Sequence, residues 1–156
     1  MKKSLLQTIA ILSFAALFCL FVMYLVFAPS EDEVARVPSP DKKFEAVLTE
    51  INGGATTSFG YSIYIVKRGQ STFWHKSVAY LYGAIRNNNA YGINLKWNNP
   101  GELAIEYLKA QSADLIKSNI EIDSSVVKVF LKSDVTDESA PPGGMLYNLK
   151  QKTKVS

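Results

Sequence analysis

The stretch that decides the fold is FEAVLTEINGGATTSFGYSIYIV, which runs from Phe44 to Val66. Apolar and polar residues alternate along Phe44–Ile51 and again along Phe59–Val66, and this period of two is typical of a strand with one buried face. Asn52–Ser58 separates the two runs with two glycines and three hydroxyl residues. The stretch therefore predicts two antiparallel strands joined by a loop that is longer than a tight hairpin needs.

The same alternation recurs on the C-terminal side, between segments rich in turn residues. It predicts further strands at Val78–Tyr82, Gly92–Trp97, Leu103–Tyr107, Ile120–Ile122 and Val127–Leu131. Strands that follow one another with only turns between them predict an all-β domain, a small antiparallel β-sheet domain arranged as a sandwich or an open barrel. One short helix at Ala110–Lys117 is a further expectation.

The N-terminal segment is apolar and uncharged over the 20 residues from Ile9 to Ala28, IAILSFAALFCLFVMYLVFA. A helix of this length spans the roughly 30 Å hydrocarbon core of a bilayer. Lys2 and Lys3 precede it and the acidic run Glu31–Glu33 follows it, so the positive-inside bias places the N-terminus in the cytoplasm. We therefore expect a single-pass transmembrane helix that acts as a signal anchor in the inner membrane and carries a periplasmic domain.

Two alternatives to an uncleaved anchor stay open. A cleaved signal peptide has a shorter apolar core of about 7–15 residues, and Pro29 follows Ala28, the small residue at which cleavage would occur. A lipoprotein needs a small residue before the modified cysteine, but Phe18 precedes Cys19. Because Cys19 is the only cysteine, the β domain has no internal disulfide in any compartment.

The predicted organisation has four parts. They are a transmembrane anchor (1–28), a linker (29–40), an extracytoplasmic β domain (41–134) and a loop-rich basic tail (135–156). With Lys2 and Lys3 set aside, the chain holds 15 basic and 14 acidic residues. Nucleic-acid-binding domains show a strong basic excess, so this balance argues against a nucleic-acid partner.

The loop between the first two predicted strands is the first candidate site. Its residues are Gly53, Gly54, Thr56, Thr57 and Ser58. Glycine permits a positive φ, and hydroxyls can form hydrogen bonds with backbone groups of the loop. The first interpretation is therefore that the loop is a structural connection. The alternative is a binding loop that exposes its amides and hydroxyls. The usual phosphate-binding loop is excluded because no lysine follows the glycines at the required spacing.

A catalytic or metal site finds little support. His75 is the only histidine, so the enzyme alternative is a hydrolase that uses Ser58 or Thr57 as nucleophile and His75 as base. One histidine makes a zinc site improbable. Glu121 and Asp123 would share a strand face, which suits a solvated surface better than a calcium site. We expect no metal, no cofactor and no enzymatic activity.

Aromatic residues concentrate in one part of the chain. Six of them fall within 25 residues, at Phe73, Trp74, Tyr80, Tyr82, Tyr91 and Trp97. Most are expected in the core of a small β domain, because aromatics favour strands. An exposed patch at Trp74 and His75 is the alternative, and it would serve as an interaction surface.

Two short motifs carry a resemblance to a known family. Ser39–Phe44 reads SPDKKF and Gly53–Phe59 reads GGATTSF. This combination resembles an uncharacterised family of small bacterial envelope proteins with the pattern S-P-D-G-K-[YF]-x-A-V followed by G-G-A-T-T-S-F. Lys42 stands where that family has glycine. The resemblance implies a cell-envelope location and a β fold, but no activity and no catalytic residues.

The sequence thus predicts a binding or interaction module with a protein partner in the bacterial envelope. One alternative is an immunity or inhibitor protein against a secreted toxin or lytic enzyme. The other is the envelope hydrolase described above. The ligand and the oligomeric state do not follow from the sequence.

Overall fold

The structure is a computed structural model that describes residues 2–27, 30–54, 56–140, 149 and 152, with the side chains of its helix described at positions 7, 9 and 11–24. The helix is α1, Lys2–Phe27. The strands are β1 Ser30–Pro38, β2 Phe44–Asn52, β3 Gly60–Lys67, β4 Ala79–Tyr82, β5 Arg86–Asn87, β6 Ala90–Tyr91, β7 Ile93–Asn99, β8 Glu102–Tyr107, β9 Ser112–Leu115, β10 Asn119–Ile122 and β11 Ser125–Lys132.

The strands form two main sheets. One has the order β1-β2-β3-β4-β9 and the other the order β10-β11-β8-β7, while β5 and β6 form a separate hairpin. A single apolar cluster draws residues from both main sheets, so the sheets pack face to face as a sandwich. The all-β prediction is confirmed. The expectation of a purely antiparallel domain is wrong, because β8 and β11 pair in parallel, with Val129 opposite Leu103.

The core follows from the alternation along the strands. Ala46 and Leu48 of β2 and Tyr61 and Ile63 of β3 are completely buried. These residues point to the same side of their sheet because β2 and β3 pair with Leu48 opposite Ile63. The predicted strand pair at the start of the domain is therefore correct in its position and pairing. The expectation of a single buried face is wrong for β2, because Val47 and Thr49 on its other face are also buried.

The predicted linker, residues 29–40, is wrong where the structure describes it, because Ser30–Pro38 forms β1 at the edge of the larger sheet. β1 pairs antiparallel with β2, and its register shifts between Glu33 and Ala35. The shift places two neighbouring residues, Val34 and Ala35, in the core. A bulge of this kind breaks the alternation by which strands are predicted.

The predicted helix at Ala110–Lys117 is also wrong. Ser112–Leu115 forms β9, which pairs antiparallel with the edge of β4. The Gln111 N–H extends this pairing by donating to the Tyr82 carbonyl at 2.9 Å. A helix this short is marginal without tertiary contacts, whereas β4 supplies a row of hydrogen-bonding partners.

The apolar N-terminal segment forms α1, and its described side chains are all exposed. Within the described part of the chain, no helix has the length and apolar character that crossing a membrane requires. A helix that crosses a bilayer needs about 20 consecutive apolar residues. This finding contradicts the predicted transmembrane anchor (1–28), the single-pass topology and the inner-membrane location with a periplasmic domain.

The predicted tail, residues 135–156, lies largely outside the described residues at 141–148, 150, 151 and 153–156. Ala140 and Leu149 are buried in the core cluster. The carboxylate of Asp137 accepts hydrogen bonds from Asn94 of β7 at 3.2 Å and from Lys152 at 2.8 Å. The described part of the tail therefore packs against the sandwich.

The turn between β1 and β2 contains the first motif of the resemblance. The Lys42 N–H donates to the Ser39 carbonyl at 2.8 Å, and the Ser39 N–H donates to the Phe44 carbonyl at 2.9 Å. The buried Ser39 hydroxyl donates to Asp41 at 2.7 Å. Lys42 has a φ of 60°, a left-handed conformation that glycine adopts at less cost. The motif is therefore a tight turn in which Lys42 takes the conformation suited to glycine.

Candidate functional site

The glycine loop, Asn52–Ser58, is held largely by its own hydrogen bonds. The Asn52 side chain accepts from the Gly54 N–H at 2.9 Å. The Gly54 carbonyl accepts from the Thr57 N–H and from the Thr57 hydroxyl, both at 3.2 Å. Gly54 has a φ of 102°, as expected of a glycine in this loop. The first half of the loop is therefore a turn that closes on itself.

The second half of the glycine loop docks on the neighbouring strand. The Ser58 N–H donates to the Tyr82 hydroxyl, and Gln111 donates to the Ser58 hydroxyl, both at 3.0 Å. The Phe59 carbonyl accepts from the Gly83 N–H at 2.9 Å. Thr56 is exposed. The polar groups that make this loop look like a ligand site thus serve mainly to fix its own backbone.

The structure does not bring the predicted nucleophile and base together. Ser58 and Thr57 precede the first residue of β3, whereas His75 lies beyond its last residue and shares a groove with Ile65. β3 has eight residues, and at about 3.3 Å per residue it separates its two ends by roughly 25 Å. The hydrolase arrangement therefore has no geometric support.

Glu121 and Asp123, the other candidate ligand groups, line one groove but do not share a strand. Glu121 is exposed on β10, while Asp123 lies in the following turn with a φ of 54° and pairs with Lys67 at 2.8 Å. The described residues include no cluster of three or more histidine, cysteine or acidic side chains that could hold a metal ion.

The aromatic loop, Arg68–Ser77, joins β3 to β4 and contains the second candidate site. Phe73 and Trp74 are 77% and 88% exposed. Their rings contact each other edge to face, with centroids 4.7 Å apart. The His75 N–H donates to the Thr72 carbonyl at 2.8 Å, which closes the turn at the tip. Two large aromatic side chains therefore stand together in solvent on a defined turn.

The base of the aromatic loop is fixed by an ion-pair network. The Gly69 N–H donates to the Glu45 carboxylate at 2.9 Å. Arg36 donates to Glu45 and to Glu33, each at 2.8 Å, and to the Gln70 carbonyl at 3.2 Å. The loop is thus attached to β1 and β2 through groups that are partly or wholly buried.

Charge stabilises this base. The hydrogen bond to Glu33 is the main cause that raises the pKa of Arg36 above its usual value, although burial opposes it. Burial alone would raise the pKa of Glu45, but the Gly69 N–H and the Arg36 guanidinium outweigh burial and lower it. Both groups therefore stay ionised and paired at neutral pH.

Two grooves flank the aromatic loop. One, of about 410 Å³, lies towards β10 and is lined by Trp74, His75 and Lys117 among others. The other, of about 360 Å³, lies towards β1 and is lined by Glu31 and Phe73 among others. The aromatic pair thus stands between two shallow polar surfaces, an arrangement that resembles the apolar centre and polar rim of protein interfaces.

A third region, which the sequence did not indicate, is a cleft of about 500 Å³ beside the edge strands β1 and β7. Its lining residues are Ala35, Arg36, Val37, Pro38, Ile93, Asn94, Leu95, Lys96, Glu106, Asp137, Leu149 and Lys152. The indole N–H of Trp97 donates to the Val37 carbonyl at 3.0 Å and ties the two edges together. The cleft could not be predicted because β1 does not show the strand period.

Asp137 at the rim of this cleft is strongly perturbed. Burial alone would raise its pKa, but hydrogen bonds from Lys152 and Ser139 outweigh burial and lower the pKa to about 2. Asp137 therefore remains a carboxylate over the whole physiological range and holds the described part of the tail against β7.

Comparison of the chain with models of known families, with curated proteins and with solved structures finds no match. The resemblance to small envelope proteins therefore stays a prediction, and function has to be argued from the geometry above.

Proposed function

We propose that this chain is a binding module whose protein partner docks on the aromatic loop. The observation that carries the proposal is the exposure of Phe73 and Trp74, at 77% and 88%, on a loop whose base is fixed. Exposed aromatic pairs of this size are uncommon on surfaces that contact only water, and they mark interaction sites.

Physical chemistry favours Trp74 as the centre of such an interface. Tryptophan is enriched among the few residues that carry most of the binding energy in protein complexes, because its large rigid surface loses little conformational entropy. The Arg36–Glu45 network already orders the base of the loop. Binding would therefore require little further ordering of the backbone.

An inhibitor that blocks a toxin or lytic enzyme would be one form of this module. Such a protein would insert the aromatic loop into the cleft of its target. The activity of the partner distinguishes an inhibitor from a module that only binds. An inhibitor abolishes its partner's activity in stoichiometric amounts, whereas a module that only binds does not.

The test is quantitative affinity capture with the full chain and two variants. Trp74→Ala removes the proposed anchor. Val126→Ala is the matched control, because Val126 is also an exposed apolar residue, at 56%, but lies on β11 outside both flanking grooves. We expect the parent and V126A to retain the same partner and W74A to bind it at least about 30-fold more weakly. Equal retention by all three proteins would contradict the proposal.

A further inference from the structure

We propose that the cleft beside β1 and β7 is a second binding site, and that it takes a small amphipathic carboxylate whose charged group pairs with Lys96. This site contains no residue of the aromatic loop, although Arg36 both lines it and fixes the base of that loop, and it does not depend on the function proposed above.

The shape of the cleft suits a small molecule. Its volume of about 500 Å³ lies within the range of roughly 300–1,000 Å³ found for small-molecule sites. The two grooves beside the aromatic loop also fall in this range, but the lining of the cleft is mainly apolar and theirs is mainly polar. Val37 and Pro38 of β1 form one apolar side, while Ile93 and Leu95 of β7 form the other. A hydrocarbon or aromatic body would gain from leaving water for this surface.

The charges at the rim favour an anion. Arg36 already pairs with Glu33 and Glu45. Asp137 pairs with Lys152 at 2.8 Å, and Glu106 pairs with Lys132 at 3.1 Å.

Lys96 differs from these groups. It is exposed at the rim, and in the described part of the chain its side chain has no hydrogen bond or ion pair. Lys96 is therefore the one cation of the described lining whose side chain has no acidic partner.

The number of unmatched cations limits the class of anion. A phosphate or a nucleotide carries two or more negative charges and is usually held by several cations or backbone amides. A single free lysine beside an apolar surface matches a single carboxylate on an apolar body. The cleft therefore points to a short fatty acid or an aromatic acid.

The test is a two-dimensional NMR titration of the full chain with octanoate and, as its charge-reversed counterpart, octylammonium. We expect octanoate to bind more tightly and to shift the amide signals of Ala35–Val37 and Ile93–Lys96. Hexanoate should bind about fourfold more weakly for each methylene removed.

Variants of exposed lysines assign the charge. Lys96→Gln should weaken octanoate binding about fivefold, the upper end for an exposed ion pair, and Lys96→Arg should restore it. Lys128→Gln is the matched control, since Lys128 is exposed on β11 away from the cleft, and it should leave binding unchanged.

Three results would each overturn the proposal. One is equal binding of octanoate and octylammonium. Another is unchanged octanoate binding by K96Q. The third is a set of shifts centred on α1, whose exposed apolar side chains offer a non-specific surface for any alkyl chain.

Discussion

The two loops that flank β3 differ in where their side chains are directed. The glycine loop, Asn52–Ser58, directs its hydroxyls and amides into hydrogen bonds with itself and with Tyr82. The aromatic loop, Arg68–Ser77, is attached near its base through Arg68, Gly69 and Gln70, and leaves Phe73 and Trp74 in solvent.

The difference shows how a binding loop can be told from a structural one. Glycines and hydroxyls look functional in a sequence, yet here the Gly54 amide and the hydroxyls of Thr57 and Ser58 are already used within the fold. Exposed aromatic side chains have no such internal use, and a fixed loop base keeps them exposed rather than buried. The groups left without partners therefore point to the binding surface better than residue type does.

We expect the largest effect on stability when the ion-pair network below the aromatic loop is removed. Arg36→Ala leaves the buried Glu45 carboxylate without its guanidinium partner, and we expect a loss of about 2 kcal/mol in the free energy of unfolding. Lys43→Ala is the control, because the Lys43–Asp41 pair is longer, at 3.7 Å, and exposed. Urea unfolding of both variants measures the difference. Equal losses would mean that the network does not hold the loop.

A second change tests the glycine loop. Gly54→Ala introduces a side chain at a φ of 102°, so we expect a loss of about 1 kcal/mol or more. Gly101→Ala is the matched control, since its new Cβ would meet only ordinary contacts of 3.4 Å or longer. Thermal unfolding compares the two variants. If G54A unfolds like G101A, the loop backbone is not under the proposed constraint.

The turn between β1 and β2 offers a stabilising change. Lys42→Gly relieves the left-handed conformation at a φ of 60°, and we expect a gain of about 0.5 kcal/mol after the added entropy of the unfolded chain is counted. Lys43→Gly is the control and should be destabilising. A K42G variant less stable than its parent would show that the lysine side chain contributes to this turn.

The smallest expected effect is a difference between the two loops in how their hydrogen-exchange protection depends on pH. The pKa of Glu45 is lowered in the fold, so its contribution to stability is present above its ordinary value of 4.5 and is lost as the pH falls through the folded value. Acidification should therefore reduce the hydrogen-exchange protection of the Gly69 amide. The Ser58 amide donates to a phenol hydroxyl instead and is the internal control. Parallel loss of protection at both amides would contradict the distinction.

The strands that carry the core could be predicted because their own residues alternate. β2, β3, β4, β7, β8, β10 and β11 each lie within two residues of a predicted strand. β1 and β9 lie at sheet edges and pair with a neighbour without showing that alternation. The parallel contact between β8 and β11 depends on tertiary packing, so no local pattern reports it.

The candidate sites also combine features that local sequence predicts with features that only the fold determines. The positive φ at Gly54 follows from its residue type and position, but the contacts of Ser58 with Tyr82 and Gln111 join residues far apart in the chain. The exposure of Trp74 was one of two predicted outcomes, and only the fold decides between them. The cleft beside β1 could not be predicted while residues 29–40 were taken as a linker.

The most direct test compares the two loops by measuring stability and partner binding for one variant in each loop. Melting temperature and affinity for the captured partner are measured for Trp74→Ala and Thr57→Ala in the full chain. We expect W74A to melt like the parent and lose the partner. T57A should melt at a lower temperature, because Thr57 loses its hydrogen bond to Gly54, and should keep the partner. If T57A loses the partner without a change in melting, and W74A retains it, the glycine loop is the binding site and the account is wrong.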